Sequence, residues 1–323
     1  MKSIIKILKA LAGILAAGCL LIVLLFGHAD IPIDTLKYKY AQYPSEFITV
    51  DGMEVHIRDE GSKNDSAPIV LIHGTGASLH TFDEWAAKLK DQRRVIRMDL
   101  PAYGLTGPFP DANYSKGHYV DFMNNFLTTL KVKQCILAGN SLGGEIAWRY
   151  ALKYPSMVDK LILIDAAGYP TNSKNKPIAF ELAKIPVVKN IFTYITPRFL
   201  VKSSVLNVYH NKSKVSEDLV DRYFELALRA GNRQAFVDQF ASKKDTLAIK
   251  NIGEIRQPTL LLWGDQDLLI PVGNAHKFHK DLPNDTLVIL KNAGHVPMEE
   301  LPTESLKVVT TFLENEQEVN PFE

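Results

Sequence analysis

The sequence predicts an α/β fold: a mostly parallel, eight-stranded sheet flanked by helices, with a helical cap inserted after the sixth strand and one N-terminal transmembrane helix. Three observations predict it. Short apolar runs alternate with helical patterns from residue 46 onwards, which is typical of a parallel sheet covered on both faces. The alternation stops at residues 168–250 and then resumes. An uncharged apolar run precedes the whole pattern.

The eight strands are predicted from their apolar runs and the turns between them. The first two, residues 47–50 and 53–59, flank Asp51 and Gly52, a pair typical of a hairpin turn. The others are predicted at residues 69–73, 95–98, 135–139, 161–164, 259–263 and 286–290. We therefore assign residues 46–167 and 251–315 to the α/β core, 168–250 to the cap and 316–323 to a tail.

The N-terminal segment has the charge pattern of a membrane anchor. Lys2, Lys6 and Lys9 precede an uncharged run at residues 10–27, which as a helix is about 27 Å long. With residues 4–8 added, the segment is long enough for a hydrocarbon core of about 30 Å. The basic flank predicts a cytoplasmic N-terminus and an exported remainder. Residues 1–30 are thus interpreted as the anchor and 31–45 as a linker.

Two other interpretations of this segment remain open. Residues 27–29, Gly-His-Ala, fit a signal-peptidase site, so the chain would be secreted after cleavage near Ala29. Residues 16–19, Ala-Ala-Gly-Cys, resemble a lipoprotein signal ending in Cys19. The apolar run continues after Cys19, which argues against cleavage there.

Composition excludes several classes of function. The chain has Lys+Arg 37 and Asp+Glu 36, a formal net charge of +1, without the basic excess of a nucleic-acid-binding protein. We therefore expect a small neutral or apolar substrate. The two cysteines, Cys19 and Cys135, lie in different contexts, which argues against a disulfide framework. No Cys/His pattern typical of zinc is present, so no metal or cofactor is expected.

Residues 139–143, Gly-Asn-Ser-Leu-Gly, fit the G-x-S-x-G pattern of a nucleophilic serine. A predicted strand precedes the motif and a predicted helix follows it, which is the context that the pattern requires. The glycines permit a sharp turn that holds the Ser141 hydroxyl at a helix N-terminus, where negative charge is favoured. The motif therefore predicts Ser141 as the nucleophile.

A neutral serine needs an adjacent base, and with this motif the base follows the nucleophile along the chain. The candidates are His276, His279 and His295. His295 lies in a loop just after a predicted strand, where the chemistry of open α/β sheets is found. His276 and His279 share a predicted helix with lysines, as expected of a solvated face. We therefore predict His295 as the base.

The base needs a carboxylate that fixes its tautomer and stabilises its charged form. Asp267 is the preferred candidate because it lies well into the loop after the seventh predicted strand. Asp265 in the same loop and Asp165 after the sixth strand are the alternatives. Asp99, followed by Leu and Pro, is interpreted as a structural carboxylate.

Acyl transfer also needs two backbone N–H groups for the developing oxyanion. One is predicted at Leu142, the residue after the nucleophile, and the other at Thr75, with Gly76 as the alternative. Both Thr75 and Gly76 lie in a glycine-rich loop after the third strand. His73 at the start of this loop is expected to have a structural role.

Together these segments resemble the α/β-hydrolase superfamily. They occur in that family's order and span roughly residues 46–315: residues 73–76, 99–104, 139–144, 263–267 and 294–297. The resemblance implies that the helical insertion is a cap over the active site. A serine nucleophile argues against haloalkane dehalogenases and epoxide hydrolases, which use aspartate. Ala102 stands where the family usually has glycine, in a structural turn.

The resemblance implies a serine hydrolase that cleaves carboxylic esters, an esterase or lipase. An anchor before a capped domain looks like membrane-bound monoacylglycerol lipases. The segment at residues 139–144 is also similar to that of hydrolases that cleave carbon–carbon bonds in ring-fission products, so this activity remains an alternative. An amidase, a peptidase or a thioesterase on the same triad is another. The least favoured alternative is a non-catalytic binding protein, because such proteins usually lack a triad member.

Overall fold

The central feature of the fold is an eight-stranded sheet. The computed structural model describes residues 2–171, 173, 175, 177–182, 185, 193–242 and 248–314. The strands are β1 Ser45–Val50, β2 Met53–Glu60, β3 Ile69–Ile72, β4 Val95–Met98, β5 Cys135–Asn140, β6 Val158–Ile164, β7 Thr259–Gly264 and β8 Asp285–Leu290. Their spatial order is β1-β2-β4-β3-β5-β6-β7-β8. β2 is antiparallel to β1 and β4, and the other neighbours are parallel. The predicted sheet is confirmed.

Helices precede, cover and interrupt this sheet. They are α1 Lys2–Phe26, α2 Ile33–Tyr40, α3 Asp83–Leu89, α4 Lys116–Thr129, α5 Leu142–Lys153, α6 Ile178–Leu182, α7 Arg198–Val208, α8 Glu217–Ala227, α9 Asn232–Ala241, α10 Gly273–Asp281, α11 Pro297–Glu300 and α12 Pro302–Glu314. Short 3-10 turns occur at Leu79–Phe82, Pro155–Met157, Lys212–Lys214 and Ala248–Glu254. The predicted flanking helices are therefore present.

Alternate residues of the strands supply cores on the two faces of the sheet. In β3, Val70 and Ile72 join the core that includes α4, α5 and α10. Ile69 and Leu71 point the other way and pack with α3 and α12. All four are fully buried, and each such burial contributes about 1.5–3 kcal/mol. This two-sided burial explains why the strands are continuous apolar runs in the sequence.

The segment between β6 and β7 is helical where the structure describes it, as the loss of strand patterns predicts. Its most amphipathic helix, α8, begins where Ser216 Oγ accepts a hydrogen bond from the Leu219 N–H at 3.1 Å. Val220 and Phe224, one turn apart, are buried. The division into core and cap stays an interpretation, and the predicted tail at residues 316–323 lies outside the described residues.

The N-terminal segment is helical, but its predicted passage through a membrane is not supported. Within the residues that the structure describes, no helix is both long and apolar enough to cross a membrane.

The predicted linker contains the helix α2, which packs against the cap. Leu36 and Tyr40 are buried in a small cluster with Leu226 of α8. The Tyr40 hydroxyl donates a hydrogen bond to Glu225 at 2.7 Å. Residues 31–45 are therefore part of the packed structure rather than a free connection.

Candidate active site

Ser141 lies on a strained turn between β5 and α5. Its backbone has φ +55° and ψ −114°, a conformation that is unfavourable for a residue with a Cβ. The flanking glycines allow this turn to form. A Cβ on Gly139 would lie 2.2 Å from the carbonyl oxygen of Gly143, and one on Gly143 would lie 2.2 Å from the carbonyl oxygen of Ile72. The predicted strand, turn and helix are all present around Ser141.

The loops after β7 and β8 bring Asp267 and His295 together. His295 Nδ1 lies 2.7 Å from Asp267 Oδ2, and both residues are buried. Because a carboxylate only accepts, Nδ1 carries the proton and Nε2 is left free as a base. Asp267 Oδ1 accepts hydrogen bonds from the N–H groups of Leu269 at 2.7 Å and Ile270 at 3.0 Å. These two hydrogen bonds hold the Asp267 carboxylate in the position from which it orients His295.

Ser141 and His295 face the same cavity. In the part of the chain that the structure describes, no hydrogen bond joins the Ser141 hydroxyl to the His295 ring. Catalytic hydrogen bonds commonly tighten only when substrate is bound. Ser141 and His295 therefore share one cavity without a direct hydrogen bond between them in the described residues.

The two alternative acids occupy different positions. Asp165 is fully buried, and its Oδ1 accepts a hydrogen bond from the Gly264 N–H at 3.0 Å. Burial, and secondarily the neighbouring Asp267 carboxylate, raises the pKa of Asp165 well above its usual range. Within the described residues, Asp165 Oδ2 and Asp265 Oδ1 are both buried without a hydrogen-bond partner.

Two residues that hold the loop of His295 in place were not predicted from the sequence. Asn140 Nδ2 donates to the carbonyl oxygens of Ile164 at 3.1 Å and His295 at 2.9 Å, and so fixes the histidine loop to the strand edge. Glu300, fully buried, accepts hydrogen bonds from the N–H groups of Gly294 at 2.7 Å and Asn211 at 2.6 Å. No sequence pattern marked Glu300, because its partners are backbone N–H groups, one of them 89 residues away along the chain.

The glycine-rich loop after β3 lies against the nucleophile. A Cβ on Gly74 would meet the Ser141 Cβ at 3.0 Å, so the backbone of this loop passes directly beside the serine. Thr75 and Gly76 line the cavity. Leu142 begins α5, so its N–H lacks an intrahelical acceptor. Both predicted oxyanion donors therefore belong to segments that flank Ser141.

The remaining predicted structural residues lie away from the chemistry. His73 Nδ1 lies 2.8 Å from the Gly74 carbonyl oxygen and its Nε2 accepts from the Leu100 N–H at 2.9 Å. Burial lowers the pKa of His73. His276 and His279 are exposed on α10. Asp99 is fully buried and accepts a hydrogen bond from the Leu79 N–H at 2.8 Å.

A cavity of about 190 Å³ connects the serine with the cap. Its floor includes Ser141 and His295, and its walls are mostly apolar. The cap contributes Pro177, Phe180, Leu200, Val201, Val205, Val208, Leu226 and Phe236. Apolar walls around a few polar groups are typical of a site for a small ligand with an apolar portion.

Asp165, Asp267 and His295 each offer one ligand atom within 4.8 Å of the others, close enough for a metal ion. The 2.7 Å separation between His295 Nδ1 and Asp267 Oδ2 is a hydrogen-bond length. Asp267 Oδ1 is already occupied by two N–H groups. The geometry therefore favours a hydrogen-bonded acid and base over a metal site.

Comparison with known proteins agrees with this geometry. A family model described as the alpha/beta hydrolase fold matches residues 67–302. The chain is 25% identical over 278 residues to 2-hydroxy-6-oxo-2,4-heptadienoate hydrolase of Pseudomonas putida, covering 82% of this chain and 95% of that protein. It is 25% identical over 312 residues to the monoacylglycerol lipase ABHD6 of Bos taurus, covering 89% and 92%.

A solved structure is similar over almost the whole length. The crystal structure of a membrane phospholipase A, described as a bacterial virulence factor, superposes with a TM-score of 0.71 at 29% identity. The match covers 97% of this chain and 98% of that chain.

Proposed function

Because the chain belongs to the α/β-hydrolase fold family, we propose that it is a serine hydrolase that cleaves carboxylic esters through an acyl-enzyme formed on Ser141. The observation that carries the proposal is the 2.7 Å bond between His295 and Asp267 beside a cavity that Ser141 also faces. A base oriented by a carboxylate next to a strained serine is the arrangement that nucleophilic acyl transfer needs.

The first half of the reaction acylates the serine. Ser141 Oγ attacks the ester carbonyl while His295 Nε2 takes its proton, and Asp267 stabilises the resulting imidazolium. The N–H groups of Leu142 and Thr75 hold the oxyanion, each contributing about 2.7–4 kcal/mol to transition-state stabilisation. His295 then returns the proton to the leaving alcohol.

Water completes the reaction by the same proton path. His295 takes a proton from water, the hydroxide attacks the acyl-enzyme carbonyl, and the acid is released with Ser141 restored. The apolar cavity walls favour an acyl chain over a charged acid portion. The names of two relatives, a monoacylglycerol lipase and a phospholipase A, support acyl esters as the substrate class.

A series of p-nitrophenyl esters with acyl chains of two to sixteen carbons tests the proposal on the purified full-length chain, with Ser141→Ala as its partner. Turnover that disappears in Ser141→Ala is the expected result, and the optimum chain length measures the acyl portion that the cavity accepts. Hydrolysis retained in Ser141→Ala contradicts the proposal.

A second candidate function is cleavage of a carbon–carbon bond next to a carbonyl group. Its support is the relative named 2-hydroxy-6-oxo-2,4-heptadienoate hydrolase. An assay with 2-hydroxy-6-oxo-2,4-heptadienoate as substrate distinguishes the two candidate functions, because cleavage is measured as a loss of the substrate's absorbance. Rapid Ser141-dependent loss of this substrate without ester turnover favours the second candidate.

The location on the exported side of a membrane stays a prediction from the basic flank at Lys2, Lys6 and Lys9. Protease treatment of intact cells that express the chain tests it, because an exported domain is degraded and an internal one is protected.

A further inference from the structure

Arg233 lies in the wall of the cavity with most of its hydrogen-bonding capacity unused. Its side chain is only 8% exposed, and it lines the cavity that contains Ser141. A guanidinium group has five N–H donors. Nη2 donates to Asp30 at 2.6 Å, whereas Nε and Nη1 are buried without a partner. Three of the five N–H bonds therefore have no acceptor within the described residues.

Two other arginines outside the cavity differ from Arg233. In Arg97 and Arg222, Nε is the one nitrogen that is buried without a partner among the described residues. Arg97 donates through its remaining nitrogens to Asp83 and Glu60, and Arg222 donates to Glu299. Neither lines the cavity. A buried cationic donor without an acceptor is unfavourable, so the free nitrogens of Arg233 point to an acceptor supplied by a ligand.

The surrounding backbone also favours a negative charge. Arg233 is in the first turn of α9, a helix of 10 residues whose N-cap, Gly231, provides no side-chain acceptor. The first N–H groups of a helix are unpaired and carry a partial positive charge. Asp30, the acid bonded to Arg233, is 46% exposed and is not part of the cavity wall.

We infer that Arg233 binds an anionic group, a phosphate or a carboxylate, carried by the alcohol portion of the ester. This inference rests on the proposed ester hydrolysis and names its substrate class. The apolar walls of the cavity favour an uncharged acyl chain, so the anionic group is assigned to the alcohol portion. The neutral substrate expected from the net charge is thereby replaced by an amphiphilic one.

The test compares three octanoyl esters that differ only in charge: those of glycerol, glycerol 3-phosphate and glyceric acid. The full-length enzyme is expected to show a kcat/KM at least about tenfold higher for an anionic ester than for the glycerol ester. Comparison of the phosphate and carboxylate esters identifies which anion the site takes. Arg233→Met should lower kcat/KM for the anionic esters more than for the glycerol ester and so remove the preference.

Three controls keep the result specific. Arg198→Gln removes another cap arginine, one that pairs with Glu217 and Asp221 and is not in the cavity wall, and should keep the preference. Arg233→Lys should keep part of it. The preference should also persist in about 0.5 M NaCl, since a buried pair is poorly screened. Loss of the preference in salt would indicate general attraction and contradict the inference.

A second variant covers the possibility that Arg233→Met does not fold. Asp30→Asn removes the competing carboxylate from Nη2 and should raise the anionic preference, and a lower preference contradicts the inference. Equal rates for the three esters in wild type, with p-nitrophenyl octanoate hydrolysed, overturn the role of Arg233 alone. Failure to hydrolyse any ester, including p-nitrophenyl octanoate, overturns the proposed function instead.

Discussion

Two serine–histidine–aspartate constellations occur in this protein, and their geometry is similar at the acid. In the cavity, His295 Nδ1 lies 2.7 Å from Asp267 Oδ2. At the antiparallel edge of the sheet, His56 Nδ1 also lies 2.7 Å from Asp99 Oδ2, with both side chains fully buried. The second constellation is completed by Ser45, whose Oγ lies 2.9 Å from His56 Nε2. We call it the Ser45 relay.

The two differ in everything around the serine. Ser45 lies in strand β1, and its Oγ accepts a hydrogen bond from Arg58 Nε at 3.1 Å. The His56 ring is stacked with Phe47 at 5.1 Å between centroids. Ser141 instead lies on a strained turn beside the glycine-rich loop and faces the cavity. The hydroxyl of Ser45 is engaged on both sides, whereas that of Ser141 is open to a ligand.

A complete hydrogen-bonded chain of serine, histidine and aspartate is not by itself a catalytic triad. Within the described residues, the Ser45 relay has a serine–histidine bond and the cavity site does not, yet Ser45 lies in strand β1 and is not part of the cavity wall. Nucleophilic catalysis needs space for the substrate and preorganised N–H groups. The Ser45 relay is therefore interpreted as structural.

Replacing each serine gives the largest contrast. Ser141→Ala should lower kcat for p-nitrophenyl octanoate by about 10⁴-fold or more, because the nucleophile is gone. Ser45→Ala should leave kcat within about twofold and lower the free energy of unfolding by about 1 kcal/mol. Initial rates and denaturant unfolding measure the two effects. Loss of activity in a folded Ser45→Ala protein would contradict the assignment of roles.

The two aspartates should separate in the same way, with a smaller contrast. Asp267→Asn should lower kcat by about 10³–10⁴-fold while the protein stays folded, because the tautomer of His295 is no longer fixed. Asp99→Asn weakens charge-assisted bonds from the Leu79 and Leu105 N–H groups and should cost about 2–3 kcal/mol of stability. A kcat that falls further in Asp99→Asn than in Asp267→Asn reverses the comparison.

The sequence predicted the sheet well because buried parallel strands are continuous apolar runs bounded by turns. The sequence predicted fewer of the features that depend on contacts between segments far apart along the chain. Helix α3 is preceded by a 3-10 segment, Leu79–Phe82, which no sequence pattern predicted and where Asp99 accepts the Leu79 N–H. Asp99 was predicted to be structural, but its partner His56 was not identified. That pairing joins two segments 43 residues apart.

The residues of the candidate site also fall into two groups, those marked by a local sequence motif and those that depend on contacts formed on folding. Ser141, His295 and Asp267 were predictable because each follows a strand in a recognisable loop. Arg233 and Asn140 were not, since the importance of each lies in what it contacts after folding. The predicted membrane passage of α1 is not supported, because no helix among the described residues is both long and apolar enough to cross a membrane.

The two buried aspartates next to the paired histidines should respond oppositely to pH. Burial beside Asp267 raises the pKa of Asp165, so the folded state keeps a proton that the unfolded state releases above about pH 4. Asp165 therefore costs stability as pH rises. Burial raises the pKa of Asp99, but His56, His73 and His80 together hold it below its usual range, so its contribution is lost as pH falls below about 4.

Melting temperatures from about pH 2 to pH 8 test this contrast, because the Asp99 contribution is lost only below about pH 4. Relative to wild type, Asp165→Asn should gain stability as pH rises, by at least about 2 °C over the range. Asp99→Asn should lose less stability at the acid end than at neutral pH. A flat difference for Asp165→Asn would mean that its carboxyl ionises in the folded state.

The smallest effect is expected in the loop that joins the two regions. Ala102 follows Asp99 by three residues, lines the cavity and has φ +86°, a conformation that costs a residue with a Cβ about 1–2 kcal/mol. Ala102→Gly removes this strain but adds freedom to the unfolded chain, worth about 0.4–1 kcal/mol. The net gain should be at most about 1 kcal/mol, with esterase activity unchanged. Ala86→Gly in α3, where φ is helical, should lose about 1 kcal/mol, and equal losses in both variants would show that the turn at Ala102 is unstrained.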